Sequence, residues 1–127
     1  MESKRILVID DKPQVCGLLK RVLEKAGYEV ETVGNPSETV ASILVQRYDL
    51  VTVDLKMPGM DGTDVATLAQ TIDDTLPILV ISAFLNPEVR RQFEQSGVHH
   101  FVEKPFQKSN LLATVETTLQ EAEPHTA

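Results

Sequence analysis

The sequence predicts an α/β protein built on a parallel sheet, and three observations support this fold class. Short apolar runs alternate with segments in which apolar residues recur every three or four positions. The strongest runs are continuously apolar, which is typical of strands that are covered on both faces. Asn-Pro and Gly signals separate the two kinds of segment. Five such strand–helix repeats predict a doubly wound five-stranded parallel sheet with five helices.

The elements follow in order along the chain. Strands are predicted at 6–9, 30–33, 50–53, 78–81 and 98–102, of which the second and the fifth are the weakest. Apolar stripes at 15–26, 40–44, 65–72 and 111–119 predict amphipathic helices. The segment 87–96 has only Val89 and Phe93 on such a stripe, so we expect its helix to be the least firmly packed.

Cap residues mark where these helices begin and end. Asn35 and Asn86 each precede a proline and an acidic residue, which is the pattern of a helix N-terminus. Gly27 and Gly97 stand where helices are expected to end in a left-handed conformation.

Length and composition limit the classes of function. We expect one domain over residues 1–127, with its core at 4–121 and a frayed tail at 122–127. The net charge of −7 argues against direct nucleic-acid binding, and no apolar run is long enough to span a membrane. Cys16 is the single cysteine, which excludes an internal disulfide, and no signal-peptide layout is present at the N-terminus. These features together predict a cytoplasmic protein.

Polar residues stand at the ends of four predicted strands. Asp10 and Asp11 follow the first strand, Asp54 the third, Ser82 the fourth and Lys104 the fifth. The carboxyl ends of parallel strands share one edge of the sheet, so we expect these side chains to converge there. Two unit charges at 4 Å repel by about 4 kcal/mol at an effective dielectric constant near 20, so three carboxylates need positive partners. A lysine and a divalent cation such as Mg²⁺ would supply them.

Each of these residues alone has a simpler explanation. A single Asp at a strand end is commonly a helix cap or a turn former, and a single Ser or Lys there is commonly a turn hydroxyl or a solvated charge. The combination at four strand ends is what favours a common site.

Four motifs make the chain resemble the receiver domains of two-component response regulators. They are VIDDKP at 8–13, VDLKMPGMDG at 53–62, ISA at 81–83 and FVEKPF at 101–106, in the order and at the spacing of that family. The resemblance covers residues 4–121. It implies a flavodoxin-like sheet with strand order 2-1-3-4-5.

The resemblance also implies roles for individual residues. Asp54 corresponds to the phosphoacceptor. Asp11, Asp54 and the backbone carbonyl of Lys56 correspond to direct Mg²⁺ ligands, whereas Asp10 acts through a bound water. Lys104 corresponds to the partner of a phosphate oxygen, in a Lys104–Pro105 peptide bond that is typically cis.

Further roles concern switching and lifetime. Ser82 corresponds to the switching hydroxyl, and Phe101 corresponds to the switching aromatic, although many relatives have Tyr there. Lys56 and Phe84 stand at positions that modulate phosphoryl lifetime, and we expect slow autodephosphorylation. The neighbouring residues His99 and His100 point to opposite faces of a strand, so they are interpreted as solvated rather than as a metal pair.

The resemblance implies partners as well. A sensor histidine kinase or a histidine phosphotransfer protein would donate the phosphoryl group. The face of the helix at 87–96, the strand at 98–102 and the helix at 109–121 would repack to control an output domain or an effector outside this chain. A phosphorylation-dependent homodimer is left open. The chain is either a stand-alone regulator or part of a longer protein.

Three other classes of function compete with this one. The chain is not expected to be an enzyme in the ordinary sense, since it would catalyse only its own phosphorylation and dephosphorylation. A degenerate receiver that acts as a protein-interaction module is one alternative. A Mg²⁺-dependent aspartyl-phosphate phosphohydrolase is disfavoured, because Lys56 replaces the second Asp of such enzymes. A flavin-binding protein is disfavoured by the lack of Trp and the few aromatic residues.

Overall fold

Strands and helices alternate along the chain in this computed structural model. The model describes residues 3–57, 60–83 and 85–122, with the backbone alone described at 56, 57 and 60–63. Among these residues the elements are β1 (Arg5–Ile9), α1 (Pro13–Lys25), β2 (Glu29–Val33), α2 (Pro36–Val45), β3 (Leu50–Val53), α3 (Gly62–Ile72), β4 (Ile78–Ser82), α4 (Pro87–Gln95), β5 (His100–Glu103) and α5 (Lys108–Ala122). A short antiparallel hairpin, Lys56–Met57 with Met60–Asp61, lies between β3 and α3.

The five strands of the sheet are parallel and lie in the order β2-β1-β3-β4-β5. Ile9, the last residue of β1, pairs with Val33 on one side and with Val53 on the other. The carboxyl ends of β1, β2 and β3 are therefore level, and the predicted strand order is confirmed.

Both faces of the sheet are covered, which explains the continuously apolar strands. β1 directs Leu7 and Ile9 to one face and Ile6 and Val8 to the other, and each of the four is at most 1% exposed. Helices α1 and α5 pack on the Ile6 face, whereas α2, α3 and α4 pack on the Leu7 face. Burying such side chains stabilises the fold by roughly 1.5–3 kcal/mol each.

The predicted caps form as expected. The side chain of Asn35 accepts the N–H of Glu38 at 2.8 Å, and that of Asn86 accepts the N–H of Val89 at 2.9 Å. Gly27 and Gly97 adopt positive φ angles of 101° and 91°. Phe93 is the buried residue of α4, in keeping with the sparse apolar stripe of that helix.

Among the differences from the predicted boundaries, two have identifiable physical reasons. Strand β5 begins at His100 rather than at 98, because the N–H of Val98 donates to the carbonyl of Phe93 and closes the end of α4 instead. Ala122, expected in the frayed tail, is the last residue of α5, whose final turn carries an ion pair to β5. The hairpin after β3 was not predicted from the sequence. No helix within the described ranges is long and apolar enough to cross a membrane.

Candidate functional site

The polar residues that follow the strands remain attached to the sheet. The N–H of Asp10 donates to the carbonyl of Val33 at 3.1 Å, and the N–H of Asp54 donates to that of Ile9 at 3.1 Å. Each backbone thus continues a strand ladder for one residue beyond the assigned strand. The carboxylates are therefore held on rigid elements rather than on mobile loops.

Three carboxylates converge at this edge, as the sequence predicted. Asp10, Asp11 and Asp54 each offer an oxygen, and these three oxygens lie within 4.8 Å of one another. Asp10 is 2% exposed and Asp54 is 4% exposed, whereas the side chain of Asp11 is 24% exposed. We call these three residues the acidic cluster.

Lys104 reaches this acidic cluster from the neighbouring strand end. Its Nζ donates to Oδ2 of Asp10 at 3.0 Å and lies 3.6 Å from Oδ2 of Asp54. The backbone N–H of Lys104 donates to the carbonyl of Ser82 at 3.0 Å, and the Lys104–Pro105 peptide bond is cis. The lysine therefore offsets part of the negative charge at its most buried point.

Asp10 and Asp11 differ in their remaining capacity for ligands. Oδ1 of Asp10 accepts the N–H of Lys12 at 2.9 Å, so both oxygens of Asp10 already accept hydrogen bonds. Oδ1 of Asp11 is buried and has no hydrogen-bond partner among the described residues. A buried carboxylate oxygen without a partner is costly, and an oxygen-seeking cation such as Mg²⁺ would satisfy it. The donor set fits that ion.

Sequence reasoning missed one member of the site. Nζ of Lys12 lies 3.7 Å from Oδ1 of Asp11 and 3.9 Å from Oδ2 of Asp54. The sequence did indicate that a second cation was needed, because three carboxylates and one lysine leave an excess of negative charge. Lys12 is also the next residue after Asp11 in the chain.

The two residues predicted to switch lie on adjacent strands. Ser82 is fully buried at the end of β4, and Phe101 is half-buried on β5 opposite Val80. The Phe101 ring meets Phe93 edge to face, with 6.1 Å between ring centroids. Phe101 therefore lies between the sheet and α4.

Two residues cannot be placed at the site. Phe84 lies outside the described residues. Lys56 begins the hairpin, two residues beyond Asp54, and its side chain lies outside the described part. Their roles stay predictions.

Cys16, His99 and His100 are not members of the acidic cluster. The Cys16 thiol donates to the carbonyl of Asp10 at 3.2 Å, and burial raises the pKa of this thiol, as does the charge of Asp10. It is therefore a packing residue. Nε2 of His100 lies 2.5 Å from Oε2 of Glu121, so the interpretation of His100 as solvated was wrong, whereas His99 is exposed as expected. A strand and a distant helix make this pair, which sequence spacing does not reveal.

Comparisons with known proteins agree with this geometry. The family model of the response regulator receiver domain matches residues 6–116. The sensory/regulatory protein RpfC of Xanthomonas campestris is 36% identical over 119 residues, which cover 91% of this chain and 16% of RpfC. The transcriptional regulatory protein PrrA of Mycobacterium tuberculosis is 33% identical over 118 residues, which cover 93% of this chain and 51% of PrrA. The chain thus spans about half of the length of PrrA and about a sixth of that of RpfC.

Solved structures extend the similarity to the fold. A CheY-like receiver domain protein of Methanospirillum hungatei superposes with a TM-score of 0.89 at 27% identity, covering 95% of this chain and 97% of that one. The response regulator TrrA of Thermotoga maritima, solved in complex with Mg²⁺ and BeF, gives a TM-score of 0.80 at 32% identity, covering 91% of this chain and 98% of that one. With the acidic cluster and Lys104 in place at the sheet edge, the chain belongs to the response regulator receiver domain family.

Proposed function

We propose that this receiver domain takes a phosphoryl group onto Asp54 from a histidine kinase or a histidine phosphotransfer protein. The observation that carries the proposal is the position of one oxygen. Oδ2 of Asp54 belongs to a carboxylate that is 4% exposed, and it lies 3.6 Å from Nζ of Lys104. A nucleophile aimed by a strand and flanked by a fixed cation suits phosphoryl transfer, in which positioning and charge provide most of the catalysis.

The reaction needs few protein groups. An oxygen of Asp54 attacks the phosphorus, and the bond between phosphorus and the donor imidazole nitrogen breaks, with its electron pair passing to that nitrogen. Lys104 then pairs with a phosphoryl oxygen. The hydroxyl of Ser82, one strand away, turns toward another. These movements require Lys104 to exchange part of its contact with Asp10 for the new phosphoryl group.

A magnesium ion would occupy the acidic cluster. Asp11, Asp54 and the carbonyl of Lys56 would hold it directly, and Asp10 would hold it through water. The ion supplies positive charge to the phosphoryl oxygens. Support comes from the buried Asp11 oxygen, which has no hydrogen-bond partner among the described residues, and from the two Asp10 oxygens, each of which already accepts a hydrogen bond.

The phosphorylated state is proposed to act through one surface, which we call the output face and define as α4, β5 and α5. Phe101 lies on this face, next to the site and against α4. A helix anchored by a single buried residue can repack at low cost. The recipient of the signal is an output domain or an effector beyond these residues. The single free cysteine fits a reducing, cytoplasmic setting.

Intact-protein mass spectrometry tests the phosphoacceptor. The protein is incubated with acetyl phosphate and Mg²⁺, as wild type, as Asp54→Asn and as Asp49→Asn. Asp49 lies just before the first residue of β3, at the end opposite to Asp54, and its side chain accepts the N–H of Arg5. It is therefore a matched control. We expect one chelator-sensitive adduct on the wild type and on Asp49→Asn, and none on Asp54→Asn. An adduct that persists on Asp54→Asn would overturn the assignment. No adduct on any protein would favour the interaction module instead.

A further inference from the structure

Lys12 has a fixed backbone and a charged end that faces the acidic cluster. Its N–H donates to Oδ1 of Asp10 at 2.9 Å, and its carbonyl accepts the N–H groups of Val15 and Cys16 at 3.1 and 3.0 Å. The residue is thus held at the start of α1 by three hydrogen bonds. Its side chain leaves from a defined point and reaches back over the carboxylates.

The ammonium group of Lys12 faces Asp11 and shares Asp54 with Lys104, whose Nζ lies 3.6 Å from Oδ2 of Asp54. Lys104 makes its hydrogen bond to Asp10, whereas Nζ of Lys12 lies 3.7 Å from Asp11 and 3.9 Å from Asp54. Neither of these last two distances is a hydrogen bond, so the interaction is through-space attraction. Three negative charges against two positive charges leave one negative charge in the cluster.

We propose that Lys12 is a built-in competitor for the divalent cation at this site. Asp11 and Asp54, the two carboxylates it faces, are the ones assigned above as direct metal ligands. A positive charge held within 4 Å of both oxygens repels a second cation that approaches them. The inference rests on the proposed function for the place of the metal, and it adds that Lys12 weakens metal affinity and so sets the Mg²⁺ concentration at which the domain becomes competent.

The exposure of Lys12 sets the size of the effect. Its side chain is 53% exposed, so water and salt screen the charge, and it can swing away once a metal binds. We therefore expect removal of the charge to tighten Mg²⁺ binding by about three- to tenfold at low ionic strength, with a smaller gain at high salt.

Calorimetric titration with Mg²⁺ tests the proposal on wild type, Lys12→Gln, Lys12→Arg and Lys25→Gln. Glutamine keeps most of the stem and removes the charge, and arginine keeps the charge. Lys25→Gln removes the same charge from the far end of α1, about 18 Å away at 1.5 Å per residue. We expect a lower Kd in Lys12→Gln alone, and we expect the other two variants to match the wild type.

Thermal unfolding supplies a readout that is independent of the titration. With chelator, Lys12→Gln should unfold at a lower temperature than Lys25→Gln, because the carboxylates lose a counter-charge. Saturating Mg²⁺ should remove that deficit. A Kd for Mg²⁺ in Lys12→Gln that equals or exceeds the wild-type Kd would overturn the proposed competition and leave the metal site itself standing. The absence of Mg²⁺ binding in every protein would overturn the metal site as well, whereas metal binding without phosphorylation would leave the competition standing and remove the proposed function.

Discussion

The guanidinium carbon of Arg90 lies 5.0 Å from the centroid of the Phe101 ring. The ring of Phe93 meets the same ring from α4 at an interplanar angle of 73°. Two side chains of α4 therefore hold the Phe101 ring. The guanidinium group of Arg90 lies over the ring, and the ring of Phe93 meets it edge to face. A phenyl ring has no hydroxyl to bond, so packing and this cation–π contact carry the restraint that a tyrosine would share with a hydrogen bond.

Replacing Arg90 with Ala should loosen the Phe101 ring. An exposed cation–π contact contributes roughly 0.5–1 kcal/mol, so the loss of global stability should be of that size. The stronger effect should appear as faster ring motion in aromatic NMR spectra. Arg91→Ala is the matched control, because Arg91 is the next residue of α4 and is also exposed. Equal changes in the two variants would show that the contact does not restrain the ring.

Tyr48 should keep its proton to unusually high pH. Burial, the hydrogen bond to Glu31 and the charge of Glu31 raise the pKa of Tyr48 to about 12 from the ordinary value of 10.0. Burial also raises the pKa of Tyr28. Folding therefore retains the Tyr48 proton at a pH where the unfolded chain has lost it. The resulting stabilisation is complete below pH 10.0 and is lost as pH rises through about 12.

A shift of this size corresponds to about 3 kcal/mol. Urea unfolding at several pH values measures this effect. The free energy of unfolding of the wild type should fall toward that of Tyr48→Phe as the pH rises from 10.0 to about 12. An absorbance titration of tyrosinate reads the same event directly. A constant difference between the two proteins across that range would contradict the assignment.

Two glycines should respond to alanine in opposite directions. Gly17 lies in α1, and a Cβ built there meets no atom within 4 Å, whereas Gly97 has a φ of +91°. Gly17→Ala should therefore raise the free energy of unfolding by roughly 0.5–1 kcal/mol. Gly97→Ala should lower it by about 1–2 kcal/mol, because an L side chain is strained at positive φ. Chemical denaturation measures both, and changes of the same sign would refute the argument.

The lifetime of the aspartyl phosphate is a further prediction. Lys56 and Phe84 stand two residues beyond Asp54 and Ser82. An ammonium group that pairs with phosphoryl oxygens, together with a bulky ring that excludes water, should slow hydrolysis. We expect a lifetime of minutes or longer, and severalfold shorter lifetimes in Lys56→Ala and Phe84→Ala. The rate is given by the loss of the phosphorylated protein mass with time in the presence of Mg²⁺, after the phosphodonor has been removed. A wild-type lifetime of seconds would count against both roles.

The sheet and its acidic cluster were predictable because both depend on local sequence and one topological rule. Continuous apolar runs identify strands that are covered on both faces, and parallel strands end at a common edge. Asp10, Asp11, Asp54 and Lys104 then converge without knowledge of any side-chain contact. The caps at Asn35 and Asn86 were predictable for the same reason, since each is complete within four residues.

The contacts that were missed join segments that sequence spacing does not relate. Arg90 over Phe101 joins α4 to β5, and His100 with Glu121 joins β5 to α5. Such pairs depend on how a helix is rotated against the sheet. Lys12 was missed for a different reason. It is the immediate neighbour of Asp11, but its reach across to Asp54 depends on how α1 begins.

The backbone ladders at the site link its assembly to that of the whole domain. The N–H groups of Asp10, Asp54 and Lys104 each donate to a neighbouring strand, so exposing any one of them requires separating part of the sheet. Opening these residues therefore breaks hydrogen bonds of the sheet, whereas the fraying of a loop does not. A folded chain that resists proteolysis in a cell therefore also holds Asp10, Asp54 and Lys104 in their positions at the sheet edge.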